Sequence, residues 1–223
     1  MRYYVEKNGV RALCRQGTSD EFVVKEVLSG EYRKLQIRAG DTIADIGMNI
    51  GMFSLYAANK GAAKIVGFEP DKENFMLAKH NIEINGKASV ICPHNFAVTG
   101  TGEKYRAFSL NVKKNKGAHS LVAKRGRKTV KVPCININDI IKKHRPSVIK
   151  MDIEGGEYEC LPAMKSWTGV RELILEFHHA HLNDIKTHSK YIEILTLLRS
   201  KFKTVVYRDP SGICGAWTGI IYC

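Results

Sequence analysis

Two short stretches join carboxylates to glycines at spacings that chemistry can use. "DTIADIGMNIG", residues 41–51, runs from apolar residues into Asp45, with Gly47 and Gly51 four apart. "IKMDIEGGEYE", residues 149–159, runs into Asp152, followed by Glu154, Gly155, Gly156, Glu157 and Glu159. A glycine just past a strand lets the chain turn sharply, and a second lets a helix and a ligand come close. Glu69 ends the next apolar run, 22 residues after Gly47. That interval suits a carboxylate that grips ribose hydroxyls. An adenosine ribose belongs both to NAD and to S-adenosylmethionine, so Asp45 has to separate them. A dinucleotide would bring a doubly negative pyrophosphate against that carboxylate, and the third glycine of the dinucleotide pattern is missing. S-adenosylmethionine brings an ammonium and a sulfonium, which Asp45 attracts. The loop therefore reads as a methyl-donor site. Asn95, after the third strand, offers a donor and an acceptor to the adenine amino edge, or else serves as a turn residue.

The second stretch reads as the acceptor side. Asp152 ends the fourth strand of the pattern, and "LEFHH" ends the fifth with Glu176, His178 and His179. Asp152 and Glu176 on neighbouring strands can converge. Carboxylates with an imidazole make an oxygen-rich site for Mg²⁺ or Mn²⁺, which would bind an acceptor hydroxyl and lower its pKa. Without a metal, Asp152 or His178 can act as general base directly. Glu154 and Glu157 can equally do no more than favour the next helix N-terminus. His179 and His181 read as surface residues.

These residues need a frame that brings strand ends together. "TIADIG", "AKIVGFEP", "ASVICPHNFAV", "PSVIKMDIEG" and "VRELILEFHH" read as short buried strands. Helical segments alternate with them: "GMFSLYAANK", a helix capped by Asp71 and stopped at Gly86, a short helix near Asn138, and "SKYIEILTLLRSKF". The C-terminal "KTVVYRDPSGICGAWTGIIYC" reads as a closing hairpin. The expected architecture is α/β, a mostly parallel seven-stranded sheet with helices on both faces and a C-terminal antiparallel hairpin. Residues 1–40, with a helix near Asp20 to Leu28, read as an N-terminal extension or lid. Residues 41–223 read as one domain with a basic insertion at about 104–131.

Length and composition agree: 223 residues, 44% hydrophobic and 26% charged, suit one domain with a real core. The N-terminal "MRYYVEKNGVRALCRQ" is too charged for a signal peptide, and no apolar run approaches the roughly 18 residues of a membrane span. Six scattered cysteines without a C-x-x-C point away from zinc knuckles and disulfides, and towards a cytoplasmic location. The net charge is +13, and Lys104 to Lys131 holds ten Lys and Arg with no Asp or Glu. Such a patch either attracts a phosphate-bearing partner or is a solvated face. Nucleic acid is the weaker partner, because only Tyr105 and Phe108 are near as stacking platforms.

Together, "RQGTSDEFVVKEVLSGEY", "DTIADIGMNIGMFSLYAA", "VGFEPDKENFMLAKHNI", "NFAVTGTGE" and "VIKMDIEGGEYECL" resemble the FkbM-type S-adenosylmethionine-dependent methyltransferases, in the right order from about Arg15 to His179. The resemblance implies the class I methyltransferase fold and O-methylation, often of sugar hydroxyls in glycans or glycosylated products. It implies that Asp45, Gly47, Asn49 and Gly51 hold the methionine part, that Glu69 holds the ribose, and that Asn95 and Ala97 lie by the adenine. Ser19 and Asp20 would lie over the cofactor and Asp152 near the acceptor. Met48 and Pro70 complete the candidate cofactor set. Asp152 and Glu176 match positions at which some related sugar O-methyltransferases bind a divalent ion. Methylation of an adenine amino group would want a Pro-Pro-aromatic motif where this chain has "DIEGG", and the Pro133-Cys134 pair lies before the fourth strand rather than after it. RNA ribose 2′-O-methylation and a non-catalytic polyanion-binding scaffold stand as the alternatives.

Overall fold

The computed structural model describes residues 1–110, 121, 128–178, 185–208 and 218–223. In chain order the elements are β1 (Arg2–Lys7), β2 (Val10–Arg15), α1 (Asp20–Glu26), a π turn (Val27–Glu31), β3 (Thr42–Ile46), α2 (Met52–Asn59), β4 (Lys64–Phe68), α3 (Lys72–Ile84) and β5 (Ile91–His94). Then follow β6 (Ala97–Thr99), β7 (Tyr105–Leu110), β8 (Lys128–Asn136), α4 (Ile137–His144), β9 (Val148–Met151), α5 (Glu157–Ala163), β10 (Glu172–His178), α6 (Ile185–Lys201), β11 (Val206–Arg208) and β12 (Thr218–Tyr222).

The apolar runs form one seven-stranded sheet in the order β11-β12-β10-β9-β3-β4-β5. β3, β4, β5, β9 and β10 pair in parallel, while β12 runs antiparallel to both β10 and β11. Alternate residues face opposite layers. Ile43, Ile65 and Val148 pack with α2, α3 and the N-terminal segment. Ala44, Ile46, Val66, Ile149 and Leu175 pack with α4, α5 and α6 on the other side. Burial on both faces explains why these strands read as continuous apolar runs. Asp71 caps α3 by accepting from the Asn74 backbone N–H at 2.8 Å, as its position before the helix suggests.

Two local features depart from the sequence expectation. The "ICPHNFAV" run is not one strand: β5 stops at His94, and Ala97–Thr99 joins β8 and β7 in a separate three-stranded sheet. The break falls at Asn95, whose side chain donates to the Glu69 and Pro70 carbonyls at 2.8 and 3.0 Å and turns the chain away. Residues 1–40 are more than a helix over the site. They begin with a β1–β2 hairpin that docks on α3, with Leu13 N–H donating to Asn81 Oδ1 at 2.7 Å. Val10, Ala12, Val24 and Leu28 enter the same core as α2. β7 and β8 flank the basic segment, but Lys113, Lys114, Lys116, Lys124, Arg125 and Arg127 lie outside the described residues, as do Cys214 and the Pro-Ser-Gly turn. No helix among the described residues is long and apolar enough to cross a membrane. Cys14, Cys92, Cys134, Cys160 and Cys223 are free thiols.

Candidate functional site

Ligands of such sheets bind beyond the C-terminal strand ends where the connections diverge, here past β3, β4 and β9. The Gly47 and Met48 N–H groups both donate to the Phe68 carbonyl, at 3.0 and 2.9 Å, which folds the β3 loop over the end of β4. Gly47 has φ +83, and a Cβ there would lie 1.8 Å from the Asp152 carbonyl oxygen. Only glycine lets the two carboxylate-bearing loops approach this closely. Asn49 also adopts a left-handed conformation, φ 52, and its N–H donates to Glu69 Oε2 at 2.8 Å. Glu69 Oε1 accepts from the Asp71 N–H at 2.9 Å.

Glu69 is thereby fixed at the edge of a cleft with an empty volume of about 510 Å³, open solvent included. Gly47, Asn49 and Pro70 line it beside Glu69, and Phe96, Ala97 and Phe108 form its apolar wall. A carboxylate has about four acceptor sites, so two remain for ribose hydroxyls. The apolar wall with the half-exposed Phe96 ring suits a base. These residues fit an adenosine. Burial pushes the Glu69 carboxyl up to about 7, against the backbone N–H groups of Asp71 and Asn49, which lower it. Between about 4.5 and 7 the folded chain therefore holds a proton that the unfolded chain releases, and this group's contribution to stability declines as pH rises through that window. Binding has the opposite sign. Hydroxyls donating to Glu69 need the carboxylate, so donor affinity is expected to weaken below pH 7, by up to about tenfold per unit. Calorimetry with S-adenosylhomocysteine at pH 8 and pH 6 checks this; equal affinities would mean that Glu69 does not engage the ribose.

Asn49, Asp152 and Glu154 also line a second chamber, with an empty volume of about 750 Å³, open solvent included. Ser19, Phe22 and Glu26 of the N-terminal segment wall it on one side, and Lys150 and Glu176 line it from β9 and β10. Asp152 thus faces both spaces. Its loop is stapled by Glu157, fully buried, which accepts from the Ile153 and Gly155 N–H groups at 2.8 Å each. That staple gives Glu157 a stronger role than a favourable charge near a helix end.

Lys150 organises the charges. Its Nζ donates to the Gly47 carbonyl at 2.6 Å and lies 3.6 Å from both Asp45 and Asp152. Burial opposes its charge, yet Asp152, Asp45, Glu176 and Glu31 together raise its pKa. Asp45 is 0% exposed, and Ser54 Oγ donates to its Oδ2 at 2.6 Å. Burial raises the Asp45 pKa against Lys150 and Ser54, which lower it.

The sequence expectations divide accordingly. Gly47, Asn49, Glu69, Pro70, Ala97 and Asp152 come together at the first cleft. Ser19, Met48, Asp152 and Glu176 come together at the chamber. Met48 is also buried over Gly67, where a Cβ would lie 2.3 Å from its sulfur. Gly51 sits one layer back, as the left-handed start of α2 against Ala78. Three of the expected cofactor residues are engaged within the protein. Asp45 is buried, and Lys150 meets its charge inside the protein. Asp20 is 1% exposed, with its carboxylate committed to Arg15, whose N–H, Nε and Nη2 donate to it at 2.8 Å each, so it anchors the N-terminal segment. Asn95 spends its donors on the two backbone carbonyls and stands behind the cleft wall. For catalysis, the His178 side chain, His179 and His181 lie outside the described residues.

The described residues do not fit the metal expectation at Asp152 and Glu176. Among the described residues no three His, Cys, Asp or Glu groups stand where they could hold an ion. The Lys150 ammonium already lies among the carboxylates that would ligate it. Turnover is accordingly expected to survive exhaustive chelation; loss of activity that Mn²⁺ restores would overturn this. Sequence reasoning missed Phe96, which lies between β5 and β6, and gave Phe108 of β7 only as a stacking platform; it passed over Phe22 and Glu26, whose i, i+4 spacing on α1 was a legible sign of one exposed face.

Comparison with known proteins gives the family and the fold. The family profile described as Methyltransferase FkbM domain matches residues 45–204. No curated protein matches the chain. Among solved structures, a candidate rRNA methylase from Clostridium thermocellum superposes with a TM-score of 0.53 at 10% identity, covering 87% of this chain and 91% of that one. A SAM-dependent methyltransferase from Agrobacterium tumefaciens gives 0.52 at 13% identity, covering 99% and 69%. Methyltransferase FkbM from Methylobacillus flagellatus KT gives 0.51 at 16% identity, covering 93% of this chain and 56% of that one. At these identities the likeness is one of fold.

Proposed function

The chain belongs to the FkbM methyltransferase family, and from that premise we propose that it transfers the methyl group of S-adenosylmethionine to a hydroxyl of a sugar, in a glycan or a glycosylated product. The single observation that carries this reading is Asp152, shared between the adenosine-shaped cleft and the carboxylate-lined chamber. S-adenosylmethionine supplies an electrophilic methyl carbon on a positively charged sulfur. Glu69 takes the ribose, and the Gly47 loop sets the depth of the donor. A hydroxyl in the chamber attacks in line: its oxygen–carbon bond forms as the carbon–sulfur bond breaks, and its proton passes to Asp152. Lys150 holds Asp152 and the Gly47 carbonyl in register. Positioning of this kind supplies several kcal/mol of the barrier, and general base catalysis adds to it.

RNA ribose methylation fits less well, since the chamber presents Glu26, Glu31, Asp152, Glu154 and Glu176 to any approaching phosphate. A scaffold without catalysis leaves the preserved Gly47, Glu69 and Asp152 geometry without a purpose. We place the reaction in the cytoplasm on the scattered cysteine spacing of the sequence. The test is transfer of labelled methyl from S-adenosylmethionine across a panel of glycosides and short RNAs. Label on a glycoside, alkali-stable as an ether, is the expected result; label on RNA alone would overturn the sugar reading.

A further inference from the structure

A line of hydrogen bonds leads from the adenosine cleft to the wall of the chamber. Glu69 Oε1 accepts from the Asp71 N–H at 2.9 Å, and Asp71 Oδ1 accepts from the Asn74 N–H at 2.8 Å. Asn74 is 2% exposed, and its Oδ1 accepts from Arg15 Nη2 at 2.6 Å. The same nitrogen donates to Asp20 Oδ1 at 2.8 Å, while the Arg15 N–H and Nε donate to Oδ2. Asp20 is the first residue of α1, and Ser19, Phe22, Val23 and Glu26 line the chamber. The carboxylate set to take the ribose is thus joined, link by link, to the helix that walls the acceptor side. Chains of this kind carry energetic coupling between sites.

Stability alone does not account for Arg15. Its side chain is 12% exposed and that of Asp20 2%. Desolvation of a buried ion pair offsets its Coulomb gain, so apolar residues of similar volume commonly hold a fold as well or better. Arg15 Nη1 is also buried without a hydrogen-bond partner among the described residues, with the Glu73 carboxylate 3.6 Å away. An unmet buried donor is a cost. What the guanidinium supplies is direction, since its planar fork holds Asp20 and reaches Asn74 at once. Tyr3 also ties α1 to β1, through Glu21 at 2.6 Å, but that bond does not lead to the cleft. At its other end α1 passes into the π turn, where Gly30 leaves helical geometry at φ 107. Such a break is where a helix end can absorb a small shift.

Resting on the donor site of the reading above, we infer that Arg15 is a positioning residue: it relays occupancy of the adenosine cleft to α1, so that a ribose held by Glu69 firms the wall against which the acceptor is placed. Arg15 itself lines neither space. It acts through Asn74 on one side and Asp20 on the other.

The experiment is hydrogen–deuterium exchange of the full chain, read by peptide mass spectrometry with and without saturating S-adenosylhomocysteine. The α1 amides should exchange at least about fivefold more slowly with the ligand bound, the low end of ordinary coupling between sites. Arg15→Met with Asp20→Leu removes both buried charges together. That chain should keep its melting temperature, and its ligand affinity within about threefold, but lose the α1 protection. Arg15→Lys keeps the charge against Asp20 without the fork; it should lose the protection too, and it carries the test if the double variant does not fold. Peptides around Gly47 and Glu69 should stay protected in every variant. Equal α1 protection in wild type and variants would leave Arg15 a purely structural role. No α1 protection in a wild-type chain that binds the ligand would break the relay. Either result overturns the inference and leaves methyl transfer standing. A wild-type chain that does not bind S-adenosylhomocysteine removes the donor site, and this inference with it.

Discussion

Replacing Gly47 with alanine is expected to weaken S-adenosylhomocysteine binding by at least about a hundredfold, close to 2.7 kcal/mol. Two independent costs combine. The residue has φ +83, where an L side chain is strained by about 1–2 kcal/mol. The added Cβ would also stand 1.8 Å from the Asp152 carbonyl oxygen, a backbone atom that cannot rotate away. The two loops must then separate, which moves both the donor bed and Asp152. Gly61→Ala separates the costs, since Gly61 has φ +98 but open space around its Cβ position. That variant should lose about 1–2 kcal/mol of stability and bind S-adenosylhomocysteine normally. A Gly47→Ala chain within threefold of wild-type affinity would show that the loop contact does not shape the donor site.

Asp152→Asn is expected to lower turnover by roughly a hundredfold to ten-thousandfold, the usual reach of a general base, with affinity for S-adenosylhomocysteine changed only a few-fold. The amide keeps the shape of the side chain and loses the site that takes the proton. Lys150 retains Asp45 and the Gly47 carbonyl as partners, so the donor bed persists. Steady-state turnover with labelled donor, beside calorimetry, separates the two effects. Turnover within tenfold of wild type would remove Asp152 from the chemistry.

Much of the frame was legible because local patterns carry it. Doubly buried strands write themselves as unbroken apolar runs, and Asp71 before an apolar helix announces a cap. The glycine and carboxylate spacings around Gly47, Glu69 and Asp152 follow from the short distance between a strand end and its ligand. The split of the third strand at Asn95 was not legible, because a side chain bonding back to the Glu69 and Pro70 carbonyls leaves no periodic mark. The N-terminal hairpin is short and partly polar, and docks through Asn81 and Asn85 of a distant helix.

The sequence by itself determined the class of chemistry, methyl transfer, through a glycine loop with a carboxylate 22 residues on and a second carboxylate at the fourth strand end. Which carboxylates line an open space was decided only in three dimensions. Asp45 and Asp20 look as available in the chain as Glu69 and Asp152, yet folding buries a cation against each, Lys150 for one and Arg15 for the other. A charge removed from water must find its partner inside the protein. Spacing along the chain cannot say which partner, because Arg15, Asp20 and Asn74 meet across two helix starts, and Lys150 and Asp45 meet across neighbouring strands.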